Sequence, residues 1–290
     1  MPRPLAAFAG LTGLVVLAAG GIGLAVAARD GNIPFVSDTC RVYAADHTVR
    51  LDPEQAGHAA TIAAVAVRQG LPRRAVTVAL AAALQESKLR NLPHGDRDSV
   101  GLFQQRPSQG WGTPEQLQEP RYAARQFYRH LQRVDGWQRM DVAAAAQSVQ
   151  RSAEGAAYAK WAVDAAALAR AFTGGEPGAV TCRLRSQDAR PVDPAQDLGT
   201  ALKADVGVVP ASPASPASPA SRRLTVRVGA PQDSGDPGWR VAYWFVAQSR
   251  EYGVRTVRYR DLEWSAGTGR WDTPTASVPA RRVVAELSGA

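Results

Sequence analysis

Lysine, histidine, methionine and cysteine are all scarce in this 290-residue chain. Only three lysines stand against thirty-one arginines, so the formal charge of +8 is carried almost wholly by guanidinium groups spread along the sequence. A basic exterior of this kind suits nucleic acid, anionic lipid or an anionic polymer such as a bacterial cell wall, and sign alone does not choose among them. The arginine and alanine richness also fits a GC-rich coding sequence, in which case the basicity has no function of its own. No nucleic-acid-binding motif accompanies the charge, so nucleic acid is not an expected partner. Phosphate-cradling glycine loops and a Ser-His-Asp set are missing as well. No histidine or cysteine follows residue 182, which removes the usual zinc ligand sets from the C-terminal third. His94 in HGDRD is one histidine in a polar turn, so neither metal nor cofactor is expected.

Charge is absent from Leu5 to Ala28, a run of twenty-four residues that follows Arg3. At about 1.5 Å per residue such a run exceeds the ~30 Å hydrocarbon core of a membrane. The reading favoured for residues 1–30 is an N-terminal transmembrane anchor with the remainder extracytoplasmic; a secreted protein whose signal peptide is cleaved after Ala25-Val26-Ala27 is the alternative. Export gives meaning to the two cysteines, Cys40 and Cys182, since outside the cytoplasm a lone pair defaults to a disulfide. Closing a loop of that length stabilises a fold by roughly 5 kcal/mol on the chain-entropy model.

Within residues 40–182 the pattern is helical. Asp52-Pro53-Glu54 supplies a cap, a proline at the first helical position and an acidic first turn for QAGHAATIAAVAVRQ, which Gly70 ends. Further helices are expected in PRRAVTVALAAALQESKL, in RYAARQFYRHLQRV after Glu119-Pro120, in VAAAAQSVQRS and in AYAKWAVDAAALARAF. The expectation is a mainly α domain. Residues 183–222 read as a disordered linker, because they are polar and irregular and end in the repeat PASPASPASPAS, an extended polyproline spacer. Residues 223–290 read as a small α+β module, with LTVRV as a strand, GWRVAYWFVAQSREYG as a helix and a hairpin turning at Gly267-Thr268-Gly269. A module this small has to commit its aromatics to its own core.

The helix ending in Gln85-Glu86-Ser87 is apolar or small on nearly every face, so it is buried and delivers Glu86 where the chain emerges into a loop. Desolvation disfavours the ionised form of a carboxyl, the condition for a general acid near neutral pH. From the helix alone, a surface ion pair of Glu86 with Lys88, Arg90 or Arg97 is an equal reading. The loop beyond changes the balance: SVGLFQQ places Ser99, Gly101 and Gln104 after a polar turn, and GWG holds Trp111 between two glycines. ES at 86–87, S-x-G-L-F-Q at 99–104 and the later helix with Tyr158 resemble the lysozyme-like lytic transglycosylases, the SLT and goose-type lysozyme superfamily. The resemblance is particularly to exported domains of this kind in high-GC Gram-positive bacteria, over roughly residues 45–175.

The resemblance implies a lysozyme-like fold and cleavage of peptidoglycan glycan strands between N-acetylmuramic acid and N-acetylglucosamine. Glu86 would protonate the glycosidic oxygen and then act as base. The muramic C6 hydroxyl would attack C1, leaving an anhydro sugar without a second carboxylate. Ser87, Ser99, Gly101, Gln104, Trp111 and Gln147 would line the substrate, and Tyr158 would orient Glu86. The A-Y-N-A-G segment of many relatives is replaced by AAQSVQRS, with Gln147 and Gln150 where Tyr-Asn is expected, and GLMQ has become GLFQ. Two other functions stay open. One is a muramidase-type hydrolase using Asp96 or Asp98 as second carboxylate. The other is a glycan-binding or scaffold protein of weak or no activity that engages cell-wall synthesis or division proteins.

Overall fold

The computed structural model describes residues 37–151, 155–185, 194–211, 223–232, 234–274 and 278–288. The apolar stretch Leu5–Ala28 lies outside the described residues, as does the proline repeat from residue 212 onward. Among the described residues no helix is long and apolar enough to cross a membrane.

The first elements are strands, β1 (Thr39–Ala44) and β2 (His47–Leu51), joined by Ala45-Asp46 with φ of 51° and 56°. Two successive left-handed residues make the tight turn whose twist suits an antiparallel hairpin. Asp52 then caps α1 (Pro53–Arg68): its side chain accepts from the Gln55 amide while the Gln55 side chain accepts from the Asp52 amide. After a short turn comes α2 (Arg73–Ser87), buried at every position from Ala75 to Leu84. A long loop leads through the single turn α3 (Pro114–Leu117) to α4 (Pro120–Leu131), whose Glu119 cap accepts from the amides of Arg121 and Tyr122. Next are α5 (Val142–Gln150), a 3-10 helix at Gly155–Trp161 and α6 (Ala162–Phe172), which runs straight on from it.

Strand β3 (Val180–Arg183) returns to pair with β1, giving an antiparallel sheet of order β2-β1-β3. Cys40 and Cys182 are register partners in this pair, and the disulfide joins them there. The expectation of a mainly α domain is therefore corrected: among the described residues the protein is mixed α/β, 45% helical and 20% strand, with two antiparallel sheets. The strands escape a pattern reading because β1 and β3 lie far apart in sequence and each alternates buried and exposed over only four to six residues. The disulfide expected to clasp a helical domain staples a sheet instead.

The stretch expected to be an irregular linker contains α7 (Pro194–Val206), which buries Leu198, Ala201, Leu202 and Asp205 at helical spacing. Then come β4 (Arg223–Arg227), α8 (Pro237–Ala247), the short α9 (Ser249–Tyr252), and β5 (Val254–Tyr259), β6 (Leu262–Ser265), β7 (Arg270–Asp272) and β8 (Arg282–Leu287). Their sheet has the order β4-β8-β5-β6-β7. The described residues from Asp38 onward form one compact unit, so composition separates what packing joins. Trp271 donates to Val180 O at 2.8 Å, Leu184 N to Ala266 O at 2.8 Å, and Tyr243 Oη accepts from Ala179 N at 2.9 Å. The aromatics Tyr243, Trp244, Phe245 and Trp264 are buried in the shared core rather than laid out on a surface.

At the centre of this junction is Asp205, a fully buried carboxylate. It accepts from Thr61 Oγ1 at 2.9 Å, from Trp244 Nε1 at 2.8 Å and from Arg121 Nε, so α1, α4 and α8 converge on α7. Truncating one member of a buried, hydrogen-bonded charge set leaves its partners unsatisfied. Asp205→Ala is expected to lower unfolding free energy by about 3 kcal/mol in a urea titration, whereas Asp272→Ala on exposed β7 changes it by less than about 0.5 kcal/mol.

Candidate functional site

The site is built around the exit of α2. Four residues of small volume, Ala79 and Ala81–Ala83, let α1, α4, α5 and α6 close over the helix, and no polar side chain emerges until the last turn. There Lys88 and Leu89 turn left-handed, with φ of 56° and 61°, and Leu89 N donates back to Ala83 O at 3.1 Å. Leu89 is itself fully buried, which pins the reversal. Gln85, Glu86, Ser87 and Lys88 thus sit at the lip of the core, and Glu86 is half-buried rather than wholly desolvated.

Ser87 faces inward, with Oγ 2.7 Å from Leu102 O and 3.2 Å from Ala83 O, so it ties the helix end to the following loop. That loop is a tight hairpin. Val100 and Gln105 exchange two backbone hydrogen bonds of 3.1 Å, and Gly101 N donates to Leu92 O at 2.8 Å. Gly101 has φ of +79°, and a Cβ there would fall 2.4 Å from Leu117 O, so only glycine fits. Gln104 Nε2 donates to Gly101 O and Gln104 Oε1 accepts from Ser99 Oγ, each at 3.1 Å. Gly95 makes room for that amide, since a Cβ on it would lie 1.6 Å from Gln104 Oε1. Ser99 and Gln104 therefore shape the loop first, and each amide atom of Gln104 keeps one hydrogen-bonding position beyond these bonds.

On the opposite side stands the 3-10 helix. Tyr158 is fully buried, and its hydroxyl donates to Glu86 Oε1 at 2.5 Å. One turn on, Trp161 Nε1 donates to Gln85 Oε1 at 2.9 Å. A 3-10 helix has three residues per turn, so Tyr158 and Trp161 share a face and meet two consecutive residues of α2. Sequence reasoning found the first rung and missed the second; the three-residue spacing of the two aromatics is the signal. Gln150, which the sequence places in AAQSVQRS, donates through Nε2 to Phe103 O at 2.7 Å. The AAQSVQRS segment thus braces the SVGLFQQ loop, and Phe103 stacks on Phe127 with centroids 4.8 Å apart. Gln147, on the same helix, is half-buried.

Other expected members go elsewhere. The Trp111 ring packs on His130, centroids 3.9 Å apart, and its carbonyl accepts from Tyr122 Oη at 3.3 Å; no contact joins it to Glu86 among the described residues. Asp98 accepts from Ser108 N and from Arg106 Nε, both at 2.7 Å. The Ser108 amide first, and then Arg106, hold its carboxyl well below the usual carboxylate range. Asp96 points into solvent, 91% exposed, with Arg97 3.8 Å away. Of the two candidate second carboxylates, Asp98 is thus engaged in the turn it helps to form, and Asp96 stands exposed. Among the described residues no group of three or more His, Cys, Asp or Glu side chains could hold a metal ion. No family model matches the chain, and no curated protein matches it.

Two outcomes follow from this geometry. Ser87→Ala leaves Leu102 O without its donor and is expected to lower stability by about 1–2 kcal/mol, with faster amide exchange at Val100 and Gln105 as the sign that the hairpin has loosened. Asp98 has a depressed pKa, so its stabilising contribution is complete above the ordinary value of about 3.9 and is lost only as pH falls through the lower, folded value. The Ser108 amide proton shift should stay constant from pH 7 down to 4 and move only in stronger acid; a midpoint near 4 contradicts the assignment.

Proposed function

We propose that the protein cleaves peptidoglycan glycan strands at the bond between N-acetylmuramic acid and N-acetylglucosamine, as a lytic transglycosylase with Glu86 as general acid and base. The observation that carries this reading is the 2.5 Å hydrogen bond from the buried Tyr158 hydroxyl to Glu86 Oε1. It fixes one carboxylate oxygen of a residue that is half-buried, and the other oxygen is the one we assign to the glycosidic oxygen. Tyr158 is a positioning residue. The resemblance of ES and S-x-G-L-F-Q to this family supports the same assignment, and the tie from Ser87 to Leu102 O brings those two segments together.

In the proposed reaction Glu86 donates its proton to the leaving oxygen as the C1–O bond breaks. The resulting carboxylate then accepts the proton of the muramic C6 hydroxyl as that oxygen bonds to C1. The products are a new 4-hydroxyl end and a 1,6-anhydro ring, and Glu86 ends protonated, ready for another turnover. No water enters and no second carboxylate is needed. The engagement of Asp98 with Arg106 and Ser108, and the exposure of Asp96, support this over a two-carboxylate hydrolase. The disulfide supports an extracytoplasmic setting, where such glycan lies.

Peptidoglycan incubated with the full chain should release soluble muropeptides. Glu86→Gln is expected to reduce the rate by at least about 10²-fold and Tyr158→Phe by about 10-fold, with both variants unfolding at the wild-type urea midpoint within about 1 kcal/mol. Binding without release by the wild-type protein would favour a glycan-binding or scaffold role instead.

A further inference from the structure

Two of the three lysines in this arginine-rich chain lie over a single ring. Nζ of Lys88 is 4.4 Å from the centroid of Trp161, and Nζ of Lys160 is 5.6 Å from it. An indole ring attracts an ammonium, but two held near one ring repel one another. Lys88 shows the effect: burial first and then Lys160 lower its pKa, against a smaller raising influence from Glu86. Neither ammonium forms an ion pair among the described residues, whereas Arg90, Arg106, Arg121, Arg170 and Arg258 all do. Lys88 instead donates to Leu84 O at 3.1 Å, which holds its stem along the lip of the site.

Their position is specific. Trp161 is fastened to Gln85, the residue before Glu86, and stands one 3-10 turn beyond the tyrosine that holds Glu86. Lys88 is two residues past Glu86 at the helix end. Two cations and an aromatic plate are thereby fixed against the same rim as the carboxylate.

We propose that Lys88, Lys160 and Trp161 form an anion subsite that takes the carboxylate of an acidic sugar lying beside the bond that Glu86 protonates. The proposal rests on the reading of Glu86 given above, but binding can be measured without turnover. The test uses the full chain carrying Glu86→Gln and two peptide-free tetrasaccharides. One alternates N-acetylglucosamine with N-acetylmuramic acid; the other is chitotetraose, the same β-1,4 backbone without the carboxylates. The acidic glycan should bind about ten-fold more tightly at low salt. That preference should disappear when Lys88→Met and Lys160→Met are added, with chitotetraose binding unchanged, and should return with Lys88→Arg and Lys160→Arg, which restore charge. Equal binding of the two sugars, no binding of either, or a preference that survives both methionines overturns the subsite. If the preference behaves as expected while the wild-type protein cleaves nothing, the catalytic reading fails and the subsite stands.

Discussion

A helix with no exposed face for ten consecutive positions, Ala75 to Leu84, sets the terms for the rest of this protein. Such a segment is stable only when apolar surface covers every side of it. The chain meets that demand by wrapping α1, α4, α5, α6 and the 3-10 helix around it. The side chains at its end are then placed where the surrounding elements offer them polar partners. Gln85, Glu86 and Ser87 each take a different one: Trp161, Tyr158 and Leu102 O. The position of the candidate acid follows from burial of the helix before it, not from a loop that happens to hold it.

The same logic extends outward in two tiers. The hairpin at 100–105 has no core of its own, and it is held by Ser87 from α2, Gln150 from α5 and the carbonyl of Leu92. Beyond it, the second sheet and α8 are joined to the first sheet and to α1, α4 and α7 by hydrogen bonds to β3 and by the buried carboxylate of Asp205. A fragment cut at residue 183 would leave Asp205, Tyr243 and Trp271 behind and expose α1, so the two halves belong to one folding unit. The part of the sequence that looks like a detachable tail is structural support for the site.

Much of this fold is legible in the amino-acid sequence, and the exceptions have physical causes. Helix starts are readable because caps act locally: Asp52 with Gln55, and Glu119 before Pro120, need no distant partner. Glu86 stands out because an acidic residue closes an otherwise apolar helix. The first sheet is obscure because its pairing is non-local; β1 finds β3 some 140 residues on, and the only sequence trace is the cysteine pair that joins them. Helix α7 is obscure for a different reason: its core face is completed by an aspartate, and a buried carboxylate reads as solvent-facing until its three donors are known. Ser99 and Gln104 look like free sugar ligands in sequence, yet bond to one another and to Gly101 in the fold. The Lys88, Lys160 and Trp161 group is invisible because it depends on a 3-10 turn that puts residues three apart on one face.

The most direct test of the account is the chemistry of the product ends. Peptidoglycan digested by the full chain in oxygen-18 water and analysed by mass spectrometry should give muropeptides ending in 1,6-anhydro-N-acetylmuramic acid, one water lighter than reducing ends and free of heavy oxygen. Reducing ends carrying oxygen-18 would contradict it, because water would then have taken the place assigned to the C6 hydroxyl opposite Glu86.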